Sequence, residues 1–339
     1  MSYNDLVIVN NEKISNEKNS FYCDNIDIKT IPENLNKNFN VTVIARNSKI
    51  KRTHQISLEK IETASNILSF LSSVLKTFKK NKVSYLIISI TPYTFFSYLL
   101  LFFFRKKIFV YLRSNGYEEY KAILGFIGPA IYHFMFKIVT FESNIITCQK
   151  KLFTKRKSDI VFPSELNSLW LENIQNSALD KPRLLYVGRM KVEKGAFSLL
   201  KIFEKITTDC HLSIVGKMDE KHLNNNKVSN IGYGYDALAL IKIYDNHNIS
   251  ILPSFTEAHP KVIDESLARR KPVIIFEEIK HIIQNRKGIF VSKRNVNSLL
   301  ETIDFIMKNY ISIQESMMQN KLPTKKEFIS QMSKILSSN

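Results

Sequence analysis

Two pairs of charged residues stand where they can do chemistry. In PSFTEAHPKVIDESLARRKPVII, Pro253 to Ile275, Glu257 and Glu265 have seven residues between them. In LLYVGRMKVEKGAF, Leu184 to Phe197, Arg189 and Lys194 follow an apolar run that ends at Gly188, and Gly195 opens a helical pattern. A carboxylate taken from water is costly unless something binds it, and its lone pairs suit two neighbouring hydroxyls. Two cations beside a helix N-terminus form an anion site, because the free N–H groups and the dipole add to the side-chain charge. Arginine forks onto phosphate oxygens and lysine reaches them as a point charge. Each segment alone is equally well a helix start or surface turn with incidental charge. The glycine spacing fits neither a dinucleotide fingerprint nor a P-loop.

The elements that must position these residues alternate. Apolar runs at Leu6–Asn10, Val41–Arg46, Val83–Ile90, Ile108–Arg113 and Asn144–Cys148 read as strands, separated by the amphipathic stretch Ser57–Lys80 and by aromatic-rich helical material from Tyr117 to Phe141. The alternation repeats with Arg183–Val187, His211–Val215, Ser229–Ile231, Ser250–Pro253 and Pro272–Phe276. Runs of βα units with apolar strands imply parallel sheets covered by helices on both faces, with ligands at the carboxyl ends of the strands. Phe255–His259 is then a loop after a strand, Pro260 a favoured first helical residue, and Glu265 the flank of a helix that packs Val262, Ile263, Ser266 and Leu267 inward. The polar stretch Glu172–Pro182 is the boundary between two domains, and residues 295–339 read as helices only.

Composition narrows the function classes. With 44% hydrophobic and 24% charged residues the chain is globular, and its formal charge of +18 is spread over both halves. Basic clusters at 49–52, 76–82, 105–107 and 150–157 attract phosphate in nucleic acid, anionic lipid or a substrate, or are plain solvated surface. Three distant cysteines, Cys23, Cys148 and Cys210, argue for buried thiols in a reducing compartment, against a disulfide framework or a zinc site. The uncharged run Val83–Phe104 is long enough to span a membrane, but its β-branched start and Pro92 predict a strand, a turn and a short helix. No signal peptide is legible, so a cytoplasmic protein is expected.

The combination G-R-x-x-x-x-K-G, then P-S-x-x-E-x-x-P-x-x-x-x-E, then P-V-I resembles the family-4 (group 1) retaining glycosyltransferases of the GT-B fold, over essentially the whole second half. The resemblance implies an α/β protein of two doubly wound Rossmann-like domains facing across a cleft. It divides the chain into an acceptor-side domain at 1–175, a nucleotide-sugar domain at 176–322 and a C-terminal helix at 323–339 that packs back toward the first domain. It implies that Arg189 and Lys194 bind the donor diphosphate and that Glu257 lies by the donor sugar, with Gly188, Ala258, His259 and Pro260 among the donor-binding residues. It further implies that Glu265 holds the ribose and that Gly232 and Tyr233 line the nucleobase pocket. By the same resemblance, Glu257, Arg189 and Lys194 are expected to carry catalysis, and a nucleotide diphosphate sugar, on UDP or GDP, is the expected donor, with no cofactor and no metal. The expected acceptor is a glycan or lipid-linked glycan of bacterial surface polysaccharide or lipopolysaccharide; the basic clusters and the apolar helical stretches around 92–104 and 125–139 favour one met at the inner face of the membrane, with peripheral contact to anionic lipid.

Three departures are visible. Arg270 stands where the family carries a glycine, which predicts a reshaped turn, since a left-handed helix cap strains arginine. His259 replaces an aromatic residue and either touches the donor or fills that position. No glycine precedes Gly116, so the glycine-rich loop of the first domain has no counterpart and no acceptor residue can be assigned; Arg113 and Asn115 only end a strand that should face the cleft. The rival readings are a catalytically silent nucleotide-sugar-binding subunit of another transferase and a basic nucleic-acid binder. The second lacks any recognisable module.

Overall fold

The computed structural model describes residues 4–80, 82–114, 116–148, 158–218 and 226–338. Asn115 and the basic run at 150–157 lie outside these residues. The chain forms two compact units, one of Met1–Phe162 with Glu327–Asn339, the other of Pro163–Lys326.

The first unit is built on β1 (Asp5–Glu17), β2 (Ser20–Cys23), α1 (Ile26–Leu35), β3 (Asn40–Asn47), β4 (His54–Ile56), β5 (Ile61–Ala64), α2 (Ile67–Lys76), β6 (Val83–Ile88), α3 (Pro92–Phe103), β7 (Lys107–Leu112), α4 (Gly116–Leu124), α5 (Gly128–Val139), β8 (Asn144–Thr147) and β9 (Ser158–Ile160). β5, β3, β1, β6, β7, β8 and β9 pair in parallel in that order. Side chains of β1 alternate between two cores: Leu6 and Ile8 face α1, Val7 and Val9 face α2, α3 and α5. The run Val83–Phe104 is indeed β6, a turn and α3. Thr91 caps α3 in a capping box and Pro92 takes its first turn.

The sheet departs from the parallel expectation at β1. That strand continues past Asn10 and turns back through Lys18 and Asn19, both at positive φ, into antiparallel β2, which β4 extends. Two positive φ values match a tight two-residue hairpin turn. A hairpin thus occupies the place where the first loop of the family would lie.

The second unit holds α6 (Ser168–Leu171), β10 (Arg183–Val187), α7 (Ala196–Phe203), β11 (His211–Val215), β12 (Val228–Gly232), α8 (Ala237–Asp245), β13 (Ile249–Leu252), α9 (Lys261–Ala268), β14 (Val273–Phe276), β15 (Ile289–Ser292), α10 (Val296–Lys308) and α11 (Tyr310–Met317). Its strands are all parallel, in the order β12-β11-β10-β13-β14-β15. The chain winds outward from β10 in one direction, then returns to β13 and winds in the other. The loops after β10 and β13 therefore diverge and leave a crevice at the carboxyl ends of the two central strands. α7, α10 and α11 share one core, and α6 and α8 cover the opposite face with Leu185 and Val215. The last helix, α12 (Lys325–Ser337), buries Phe328, Met332 and Leu336 in the first unit's core with Leu6 and Ile28.

The stretch read as a linker, Glu172–Pro182, is fastened within the second unit, and the division falls earlier, at Phe162–Pro163. Arg269 is buried, with Nε and Nη2 on the two oxygens of Asp245 at 2.9 and 2.7 Å. Its Nη1 donates to the carbonyls of Trp170 at 3.1 Å and Glu172 at 2.7 Å, and Nη2 to that of Asn173 at 2.9 Å. Lys271 is buried too, donating to the Gln175 carbonyl at 3.1 Å and Ser177 Oγ at 2.7 Å. Burial, with Arg269 nearby, pushes the Lys271 ammonium down to about 8. Three free cysteines, all buried, have thiols that burial raises to about 12.

The expected reshaping of the turn after α9 does not occur. Arg270 adopts φ 53, the left-handed cap itself. The Arg270 N–H donates to Leu267 O at 3.0 Å and the Lys271 N–H to Ser266 O at 2.9 Å, the paired bonds of a Schellman motif. The hydrogen bonds and the two buried cations on either side hold arginine in the conformation that glycine takes freely. Replacing Arg270 with Gly should therefore raise stability by about 1 kcal/mol in urea unfolding, by releasing that strain. An unchanged or lower midpoint would refute it.

Candidate active site

The crevice at β10 and β13 is closed at its base by backbone. After β10, residues 192–194 form one short helical turn and Gly195 follows at φ 67. A Cβ on Gly195 would lie 1.8 Å from the carbonyl oxygen of Pro253, the residue after β13, so only glycine lets the two loops meet. The Phe255 N–H donates to Glu193 O at 3.0 Å and staples them together.

That contact sets the charged groups side by side. Lys194 Nζ lies 2.6 Å from Glu257 Oε1, and Ser254 Oγ donates to the same oxygen at 2.7 Å. His281 Nε2 lies 3.0 Å from the Glu257 carbonyl oxygen and steadies the loop. Arg189 is exposed at the end of the β10 loop, its guanidinium without a partner among the described residues, and its carbonyl is fixed by Tyr186 Oη at 2.9 Å. Gly188 must lack a side chain as well, because its Cβ would press on the Tyr186 hydroxyl at 2.7 Å. The Gly188 N–H binds Val215 O and the Gly216 N–H binds Gly232 O, each at 2.9 Å, so three glycines line the ends of adjacent strands. Gly232 takes φ 102, and Tyr233 beyond it is exposed with Lys217 over its ring.

Glu265 sits on α9, 8% exposed, its Oε2 accepting from Tyr244 Oη at 3.0 Å. Burial raises its carboxyl to about 7, with the Tyr244 hydrogen bond and Lys261 opposing and Glu165 and Asp264 adding to the rise. Oε1 has no hydrogen-bond partner among the described residues and can take a ligand's hydroxyl. Pro260 is the cap that precedes α9 rather than its first residue, and no side chain caps the helix. Ala258 is half-buried in the loop before it. His259 is spent on structure: its ring is 6% exposed, with Nε2 2.8 Å from Asp264 Oδ2, whose Oδ1 takes Arg286 Nη1 at 2.6 Å. Ring burial matches the position-filling alternative, which leaves the His259 main chain to face the loop.

Arg113, a candidate for the other unit, lies away from these groups in sequence and is committed to Asp27 at 2.9 Å and Glu12 at 3.7 Å.

One cation had no signal in the sequence. Arg294 lies between the rings of Phe255 and Phe276, its guanidinium carbon 4.1 and 4.3 Å from their centroids, and Nε binds Glu278 at 2.8 Å. Nη1 and Nη2 are buried without a partner among the described residues, and Nη1 would stand 3.2 Å from a Cβ on Gly195. Phosphate-type and carboxylate oxygens suit such a stacked fork.

A crevice with two cations, a paired carboxylate and a second buried carboxylate eight positions on offers groups that suit anionic oxygens and hydroxyls. Residues 171–322 match the model of the glycosyl transferases of group 1. That stretch of the chain is similar to the group 1 glycosyltransferases. An uncharacterized glycosyltransferase of Haemophilus influenzae is 26% identical over 191 residues, 51% of this chain and 52% of that one, so the chain spans about half the length of that curated relative. HepE of Anabaena, solved with UDP-glucose, superposes with a TM-score of 0.72 at 10% identity over 99% of this chain and all of that one. Sucrose-phosphate synthase of Thermosynechococcus elongatus gives 0.69 at 14% identity over 98% of both. The fold is GT-B. Gly195, the last glycine of the G-R-x-x-x-x-K-G pattern, lies where two loops touch.

Gly195→Ala should separate those loops. Its Cβ cannot stay 1.8 Å from a carbonyl oxygen, so the substitution should cost about 2 kcal/mol or more of stability. Denaturant unfolding measures it, and a wild-type midpoint would contradict the close approach.

Proposed function

We propose that the chain is a metal-independent, retaining glycosyltransferase that moves a sugar from a nucleotide diphosphate sugar, on UDP or GDP, to a glycan or lipid-linked acceptor of bacterial surface polysaccharide or lipopolysaccharide. The observation that carries the reading is the Lys194–Glu257 pair at the crevice of the second unit, just before the N-terminus of α7, with Arg189 exposed on the same β10 loop. UDP and UDP-glucose in the HepE structures accord with a nucleotide-sugar donor.

In this reading Arg189 and Lys194 bind the diphosphate, helped by the N–H groups of α7 and, once a ligand draws them out, by the free nitrogens of Arg294. Glu265 accepts the ribose hydroxyls through Oε1 while Tyr244 keeps Oε2 in place. The glycine row supplies a floor of backbone beneath the base, with Tyr233 at its edge. Transfer breaks the bond from the anomeric carbon to the diphosphate oxygen and forms one from the acceptor oxygen on the same face. The acceptor proton passes to the departing phosphate. Glu257 faces the positive charge that develops on the sugar, and the two cations neutralise the leaving group without a metal. Ser254 and Lys194 fix which oxygen of Glu257 is engaged.

Thermal unfolding with UDP, GDP, ADP and CMP tests the donor site. One nucleotide should raise Tm by mass action, and Arg189→Ala should abolish the shift. A folded protein that answers none of them refutes the donor-site assignment. A second measurement uses Glu265. Its folded-state pKa of about 7 lies above the ordinary carboxylate value, so the site is protonated at acid pH and ionises as pH rises through that value. Only the ionised carboxylate accepts from both ribose hydroxyls. Nucleotide affinity should accordingly rise by up to about tenfold between about pH 6 and pH 8, relative to Glu265→Gln. Parallel profiles for the two proteins would remove Glu265 from the ribose site.

A further inference from the structure

Helices α3 and α5 of the first unit are apolar on both sides. Phe95, Tyr98 and Leu101 of α3, with Tyr132, Met135 and Val139 of α5, face the core. On the opposite sides, where a surface helix ordinarily places polar residues, α3 carries Phe96 and Phe103 and α5 carries Phe134 in the open. α4 and the turn Gly125–Ile127 add Ile123 and Phe126, and Phe126 is 92% exposed. The helices adjoin: the ring of Phe95 lies 6.2 Å from Phe134, and Tyr120 of α4 lies 5.2 Å from Tyr132 of α5. Singly scattered apolar residues need no explanation, but a run of bulky side chains on adjoining helices does.

Cations with no carboxylate partner among the described residues border this face. α3 ends in a Schellman turn with Arg105 at φ 49, so Arg105 and Lys106 follow directly on exposed Phe103 and Phe104. Lys106 Nζ stands 4.6 Å from the ring centre of Phe78, which is 5.0 Å from Phe104. Lys76, Lys79, Lys82 and Arg105 have no carboxylate partner among the described residues. A protein–protein interface core is depleted in lysine, whereas an anionic lipid surface attracts each Lys or Arg near it.

We propose that the α3–α4–α5 face docks on an anionic lipid bilayer, its phenylalanines entering the acyl boundary and its cations meeting lipid phosphates. No helix among the described residues is long and apolar enough to cross a membrane, so contact is from one side. The inference rests on the transferase reading for its purpose, delivery of a lipid-linked acceptor, and on the first unit alone for its geometry.

Sedimentation of the full chain with vesicles of phosphatidylcholine, with and without phosphatidylglycerol, tests it. Binding should need the anionic lipid and weaken with salt. Phe103→Ser with Phe126→Ser, and separately Arg105→Glu with Lys106→Glu, should each weaken partitioning by about tenfold or more. The nucleotide-induced Tm shift of the same samples should stay intact. Protein that keeps this shift but stays in the supernatant at low salt, or variants that sediment like the wild type, overturn the docking face and leave the transferase reading standing. Vesicle binding with no nucleotide shift supports the face and counts against that reading. A wild-type dimer that Phe103→Ser with Phe126→Ser makes monomeric assigns the face to a second copy and overturns the proposal.

Discussion

The touch of Gly195 on the Pro253 carbonyl is the constraint from which the candidate site follows. β10 and β13 are neighbours in a parallel sheet whose winding reverses between them, so their loops would part without a contact to hold them. Absence of a Cβ lets backbone meet backbone there, and the Phe255–Glu193 hydrogen bond keeps the register. Lys194 precedes that glycine and Glu257 lies four residues beyond the proline. Neither side chain has to search for the other. The same contact puts Phe255 against Arg294, whose other face rests on Phe276 at the end of β14. Three strand ends are coupled through one glycine.

A second constraint works from behind. α9 carries Glu265 and ends at Arg269, and the turn that follows places Arg269 and Lys271 in the interior with Arg270 between them. Two buried cations are costly unless fully hydrogen-bonded. Here the carbonyls of residues 170–175 supply the acceptors, with Asp245 as the counter-charge. The irregular segment before β10 is thus ordered by the helix that presents Glu265. Asp245 and Tyr244 both end α8, so one helix holds the far end of α9 and also the carboxylate on its flank.

The second unit was largely legible in the sequence. Fully buried parallel strands leave short β-branched runs, and β10, β11, β13 and β14 stand at such runs. β15 was missed because IFVS is short, and its Val291 is exposed. The glutamates and the cation pair were found because a motif states residue types at fixed intervals. Arg294 was not, because its placement depends on two aromatic rings distant in the sequence, one on the loop after β13 and one at the end of β14. The β1 hairpin was hidden for a different reason: NNEKISNE buries Ile14 and Ser15 at its centre, and its turn is Lys-Asn where the common signal is Asn-Gly. Arg270 misled for an energetic reason, since a strain of about 1 kcal/mol is readily outweighed by the hydrogen bonds on either side of it.

The Lys194–Glu257 bridge gives the crevice a property of its own. An unaccompanied lysine there would hold any small anion the cytosol or medium offers. With a carboxylate already at 2.6 Å, a lone phosphate has to displace a neighbour that is covalently tethered and cannot diffuse away. In the proposed reading, a ligand that also brings a second phosphate for Arg189 and hydroxyls for Glu265 gains contacts at several points as it takes the lysine. The paired charge then acts as a threshold that simple ions fall below and the proposed donor passes over.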